Sequence, residues 1–475
     1  MMTNIYMSSS IISIIFLMDL IFAKPSEFQL KKQQQQDSDL LQKRSNLVLS
    51  LKNNDDTYFS TSIEVGTPAQ ELNLIFDTGS ADLWVMDRKN KHCIYNSYKN
   101  ITVEPVINCT DLLTFNSSES STMKKVSDAR FYINYVDLTY AEGVWVTDTL
   151  TINGISIPNM QFGLALNATT PVSGVLGIGF QRREAVRGYE GASNEFYPNF
   201  PQVLKQQGIT DVVAYSLNLG VSSSIIFGGL DVNAYAGTMY TFPMVNVYPN
   251  VVDKPATLAL TIQGLDIVDK LTNSKKNIFN NKYAVLLDSG TTLVSFPTEL
   301  ADSMANFVNA TYSPSNSVYI FDCPANSDSI DFVFNFGKLK LNIPLTSFIL
   351  LPEGDSVCGF GVLRSRNSFI TLGDSFLKNT YVVYDLDNYQ ISLAKAANNT
   401  VKEQKIIEIP SDGKIPGAIM AEDEIWTGST ALSASNMSID TKLPSTTIRT
   451  ESLKTSTSGK IIIKTVTKYI CNKSS

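Results

Sequence analysis

Two short stretches carry residue types suited to acid–base chemistry: Asp77-Thr78-Gly79-Ser80 and Asp288-Ser289-Gly290-Thr291. Each reads acid, hydroxyl, glycine, hydroxyl. A carboxylate can take a proton from water, and a carboxylic acid can give one to a carbonyl oxygen. One such turn is common and says little. Two copies suggest a duplicated lobe with two facing carboxylates. Each copy follows an apolar run, Leu72-Asn73-Leu74-Ile75-Phe76 in the first and Ala284-Val285-Leu286-Leu287 in the second. An apolar run that stops at Asp-x-Gly reads as a buried strand entering a tight turn.

Other chemistries have little material. The chain of 475 residues contains one histidine, His92, so a His-dependent triad would have to use it. It lies in a Lys/Asn-rich stretch beside Cys93, a poor setting for a buried base. The same scarcity leaves no His-rich zinc site and no metal is expected. A net charge of -7 argues against nucleic acid as a partner, since that needs a basic surface. Five cysteines are spaced so that Cys93 with Cys109, and Cys323 with Cys358, would close two local loops and leave Cys471 over. Spacing does not fix connectivity, and free, partly buried thiols are the alternative. An oxidising compartment would allow both bridges.

The elements that must position the two turns read as strands. From Tyr58 to Ala396, short apolar or alternating runs recur between Gly, Asn, Asp and Pro; Phe131–Tyr135, Ile225–Phe227 and Tyr381–Tyr384 are examples. Helical spacing is rare, with Phe200–Gln207 and Thr298–Val308 the better candidates. The chain therefore reads as all-β, with no βαβ alternation. Each Asp turn is followed later by an apolar-Leu-Gly element, Gly174-Val175-Leu176-Gly177 and Phe369-Ile370-Thr371-Leu372-Gly373. Glycine there would let a strand pass close behind the Asp loop.

The ends have a different character. Residues 1–23 contain the apolar run Ile11–Ala23 and read as a secretory signal peptide, although no Lys or Arg precedes the run. A membrane anchor is the alternative, but the run is short for a span, and no stable membrane span is expected. Residues 24–44 are polar and end in Lys43-Arg44, so they read as a propeptide. Residues 397–475 are rich in Ser, Thr and Lys and are expected to form a flexible tail. Sequons at Asn100, Asn116, Asn167, Asn309 and Asn436 fit a glycoprotein that is secreted and extracellular, free or held at the cell wall.

With these residues in hand, the chain resembles the pepsin-like aspartic proteases, especially the fungal secreted aspartyl proteinases and yapsins. The resemblance covers about Tyr58 to Ala396 and rests on Phe76–Val85, Leu287–Thr292 and Tyr381–Leu386. It implies a bilobal β fold, residues 45–396 with a lobe boundary near 230–245, and a cleft between the lobes. In that cleft Asp77 and Asp288 would share a proton, because two carboxylates that close cannot both ionise cheaply. Ser80 and Thr291 would hold the outer carboxylate oxygens, and Thr78 and Ser289 would tie the two loops together. Tyr135 matches a flap tyrosine over the substrate, with Asp137 beside it and Trp84 as its hydrogen-bond partner. The family uses no cofactor. A monomer acting on a protein or peptide substrate is expected, and Lys43-Arg44 looks like a site for a subtilisin-like convertase.

The flap departs from the family. Tyr-Gly-Asp-Gly is common there, and this chain has Tyr135-Val136-Asp137-Leu138. Glycine readily supplies a positive φ at a hairpin tip, and valine resists it. The tip is therefore expected to take a different turn, to be stiffer or to be more apolar, and so to shift specificity. Two other readings stay open on the sequence. One is a pepsin-fold binding protein without activity; the other is an adhesive surface glycoprotein, suggested by the tail. Resemblance to yapsins hints at cleavage beside basic residues, which no residue here demonstrates.

Overall fold

The apolar runs before the two Asp turns become central strands of two separate sheets. The computed structural model describes residues 46–428, apart from 95–105, 111, 136–137, 315, 325–326, 351–356, 398–402 and 423–424. The proposed signal peptide and propeptide, and with them Asn100, Asn436, Val136, Asp137 and Cys471, lie outside the described residues. In the first half, strand Gln70–Asp77 is buried over its last four residues and belongs to an eight-stranded sheet. In the second half, strand Tyr283–Leu287 belongs to a five-stranded sheet. A strand without polar alternation is covered on both faces, which explains why these runs are continuously apolar.

The same three-strand unit recurs around each Asp. Gly174–Gly177 runs parallel to Gln70–Asp77, with Gly177 opposite Asp77, and antiparallel to Leu83–Met86. Ile370–Leu372 runs parallel to Tyr283–Leu287, with Leu372 opposite Leu287, and antiparallel to Val294–Pro297. Glycine is required behind the turns. A Cβ on Gly373 would stand 2.1 Å from the Thr291 carbonyl oxygen, and one on Gly177 would stand 2.7 Å from that of Asp82. Neither site has room for a methyl group.

A seven-stranded sheet joins the halves. Its order is Leu47–Ser50, Ser224–Phe227, Ala214–Asn218, Thr380–Asp385, Gln390–Ala396, Tyr235–Pro243 and Ala418–Met420. At its middle Tyr215 faces Tyr384, with ring centroids 5.2 Å apart, so the two halves meet through a fully buried aromatic pair. The fold is thus all-β and bilobal. Its principal α-helices are Phe200–Gln206 and Thr298–Phe307. The first opens with a Gln202 side chain accepting the Asn199 N–H at 3.2 Å.

Two readings from sequence need correction. The chain does not become a flexible tail at 397. Ile406–Glu408 pairs with Gly229–Asp231, and Ala418–Met420 adds an edge strand beside Tyr235–Pro243. Ile409 and Ile415 are buried against Leu230, Met239 and Val383. The composition of the whole segment is set by the Ser/Thr-rich stretch further on, which hides these isolated apolar anchors. His92 is also not on a polar surface. It is 1% exposed, because the bridge between its neighbour Cys93 and Cys109 holds this stretch against the first lobe. A second bridge joins Cys323 to Cys358.

A chain ending at Ala396 should therefore lose several buried apolar side chains. Its thermal midpoint is expected to fall by at least about 5 °C relative to a chain ending at Gly428. Equal midpoints would show that the segment contributes nothing to the fold.

Candidate active site

Both Asp side chains are completely buried, and each is held in the same way. Asp77 Oδ1 accepts the Gly79 N–H at 2.7 Å, and its Oδ2 accepts the Ser80 hydroxyl. Asp288 Oδ1 accepts the Gly290 N–H at 2.9 Å, and its Oδ2 accepts the Thr291 hydroxyl at 3.0 Å. The short turn supplies the amide two residues on and the hydroxyl three residues on. Each carboxyl plane is thereby fixed from within its own loop.

The two loops are also tied to each other. The Thr78 N–H donates to Ser289 Oγ at 3.1 Å, and the Ser289 N–H donates to Thr78 Oγ1 at 2.9 Å. The hydroxyls then pass on their own protons. Thr78 Oγ1 donates to the Leu287 carbonyl at 3.4 Å, and Ser289 Oγ to that of Phe76 at 3.3 Å. These four contacts cross between residues more than two hundred positions apart in sequence. Glycine makes the approach possible. A Cβ on Gly79 would lie 2.4 Å from Asp288 Oδ1, and one on Gly290 would lie 2.2 Å from Asp77 Oδ1. Each carboxyl therefore sits against the bare backbone of the opposite loop.

Burial is the main cause that raises the Asp77 pKa above the ordinary carboxylate range, and the negative charge of Asp288 adds to it. The Ser80 hydroxyl and Gly79 amide pull the other way, while the hydrogen bond with Asp288 raises it further. A pair in this state keeps one proton where isolated carboxylates would hold none. A third acid, Asp374, follows Gly373 directly. Burial raises its pKa well above normal; the Lys378 ammonium opposes this, and Asp288 and Asp77 reinforce it. Its motif, Leu372-Gly373-Asp374, was visible in the sequence, but nothing local announced a buried acid close enough to feel both others.

The flap hairpin joins Lys124–Asn134 to Tyr140–Ile152. Tyr135 is buried and its hydroxyl accepts the Trp84 Nε1–H at 2.6 Å. The turn closes with the Tyr135 N–H on the Thr139 carbonyl at 2.8 Å and the Leu138 N–H on that of Tyr135 at 3.0 Å. Leu138 takes φ +67°, where the family commonly has glycine, and is 82% exposed. An L-residue with a large side chain is strained there. Val136 and Asp137 lie outside the described residues. Sequence reading missed the polar contacts beside this hairpin's turn, which join residues from four segments.

A two-lobed β fold that buries a pair of carboxyls at matched turns defines a pepsin-like aspartic protease. The chain belongs to the eukaryotic aspartyl protease family, whose model matches residues 57–396, and it is an aspartic endopeptidase. It is similar to barrierpepsin of Saccharomyces cerevisiae, with 50% identity over 395 residues, covering 80% of this chain and 67% of that protein. Yapsin-3 of the same yeast is 37% identical over 412 residues, 82% of this chain and 76% of its own. Candidapepsin of Candida tropicalis is 36% identical over 362 residues, 75% and 83% respectively.

The mutual fit of the loops gives a sharp test. Gly290→Ala puts a methyl group into Asp77 and should lower kcat/KM by at least about 100-fold, as expected when a reacting group is displaced by an ångström. Activity within ten-fold of the parent would show that the loops are not fitted to each other. A second expectation concerns pH. Asp77 and Asp374 bind protons more tightly folded than unfolded. Their contribution to stability is full below the unfolded value of about 4 and is lost as pH rises towards the raised folded values. The thermal midpoint should fall as pH is raised from 4 to 7, and Asp374→Asn should flatten that fall. A midpoint that rises with pH would contradict it.

Proposed function

We propose that Asp77 and Asp288 hydrolyse peptide bonds as one acid–base pair sharing a proton. The observation that carries this is the reciprocal seating of each carboxyl against the opposite loop's glycine, with the outer oxygens held by Ser80 and Thr291. The ionised carboxylate takes a proton from a water molecule as that water attacks the scissile carbonyl carbon. The protonated carboxyl gives its proton to the carbonyl oxygen, forming a gem-diol. One diol proton then returns to a carboxylate as the other carboxyl protonates the leaving nitrogen. The C–N bond breaks, leaving an acid and an amine. Thr78 and Ser289 keep the two carboxyls coplanar, and Tyr135, held by Trp84, covers the substrate from the flap.

The protein acts as a secreted, extracellular monomer, free or held at the cell wall. Residues 1–23 direct secretion, and residues 24–44 are removed at Lys43-Arg44. The strand Leu47–Ser50 begins three residues after that pair, so cleavage there would leave the seven-stranded sheet complete. Both bridged cysteine pairs and the exposed sequon at Asn309 agree with an oxidising secretory route.

Asp77→Asn and Asp288→Asn keep the shape and remove the shared proton. Each should lose at least about 1,000-fold in pepstatin-sensitive cleavage of a peptide library at pH 4, with circular dichroism unchanged. Retained activity in either variant would refute the pair.

A further inference from the structure

We propose that Glu142 and its cross-strand partner Asn167 form a polar latch that ties the flap hairpin, two pairs from its turn, to the strand behind it, and so act as positioning residues for substrate binding. Glu142 lies on the second arm of the hairpin and is half-buried. Its Oε1 accepts the Arg130 Nε–H at 2.8 Å from the first arm, and its Oε2 accepts an Asn167 Nδ2–H at 2.8 Å from strand Ile155–Ala168. Asn167 Oδ1 in turn accepts the Tyr140 hydroxyl at 3.0 Å and faces His92 Nε2, also at 3.0 Å. With Nδ2 turned to a carboxylate, Oδ1 is the acceptor, so His92 carries its proton on Nε2. One continuous chain therefore runs from Arg130 through Glu142 and Asn167 to His92. It joins both flap arms to the buried loop beside the Cys93–Cys109 bridge.

The chain sits beside an irregularity in the sheet. Strand Ile155–Ala168 has a register shift between Ala165 and Asn167, so the regular ladder with the second arm is interrupted there. Thr169 repairs part of the gap. Its N–H donates to the Tyr140 carbonyl at 3.0 Å, and its Oγ1 accepts the Tyr140 N–H at 3.0 Å. The ladder resumes at Asn167 opposite Glu142 and Ala168 opposite Ala141, so the side-chain chain reinforces the backbone pairing just past the irregularity. Arg130 adds to the hold, with its guanidinium 4.6 Å from the Tyr132 ring centre and its carbonyl accepting the Trp145 Nε1–H and Tyr189 hydroxyl. The latch also uses the nitrogen that the sequon Asn167-Ala168-Thr169 offers for glycosylation. A glycan there would replace one of that nitrogen's two hydrogens.

This rests on Tyr135 covering the substrate, as proposed above. A flap that binds substrate and transition state alike acts on KM more than on kcat. Glu142→Ala and Asn167→Ala should each raise KM about ten-fold, the size of one or two hydrogen bonds, and leave kcat nearly unchanged. The double variant should be no worse than the weaker single one, because both break the same chain. Tyr140→Phe, a milder change, should raise KM about two-fold. Unchanged KM in all three single variants, or additive losses in the double variant, would overturn the latch. Tyr135→Ala separates the two ideas. If it raises KM and the latch variants do not, the latch alone fails. If Tyr135→Ala also leaves KM unchanged, the covering flap fails and the latch with it.

Discussion

Two carboxyls are buried against each other at the centre of this protein, and almost every unusual feature of the fold serves that contact. Taking one acid out of water raises its pKa, and placing a second beside it raises it again. Such a pair survives only if each oxygen has a defined donor and neither loop can relax away. The four donors are Gly79, Ser80, Gly290 and Thr291. The crossed bonds of Thr78 and Ser289 prevent relaxation, because separating the loops would break four buried hydrogen bonds. Small residues at Gly79 and Gly290 are the geometric condition for all of it.

The surrounding architecture repeats because the constraint repeats. Each Asp ends a buried strand, and each such strand has a parallel neighbour whose glycine presses on the turn from behind. The seven-stranded sheet then locks the two copies together, with Tyr215 against Tyr384. The Tyr215 hydroxyl donates to the Ile178 carbonyl at 3.1 Å, so the joint reaches the strand end behind the first Asp turn. Asp374 continues the same logic. Its environment penalises charge and raises its pKa, which draws the protein's stability towards low pH.

The flap is built on different terms. It is a long hairpin, held at its turn by Trp84 on Tyr135 and two pairs from the turn by Glu142 and Asn167. Leu138 exposes a large apolar side chain at a strained φ, where glycine would carry none.

Local pattern was enough to reveal the two Asp turns, their hydroxyls, the strands feeding them and the glycine elements behind them. Those features depend on neighbours in the chain, and an apolar run ending at Asp-x-Gly has few other readings. Helices near Phe200 and Thr298 were legible for the same reason. The segment after Ala396 was not, since its few apolar anchors matter only against Leu230, Met239 and Val383, which lie far away in sequence. His92 looked like a surface residue because its flanks are polar, whereas its burial depends on a bridge and on Asn167. The sequence by itself thus determined the two Asp turns and the lobe repeat, because both are written in short-range chemistry. Only the tertiary structure decided that Asp77 touches Gly290, that Asp374 lies near both acids and that Glu142 meets Asn167. Contacts of that kind are fixed by the packing of distant strands.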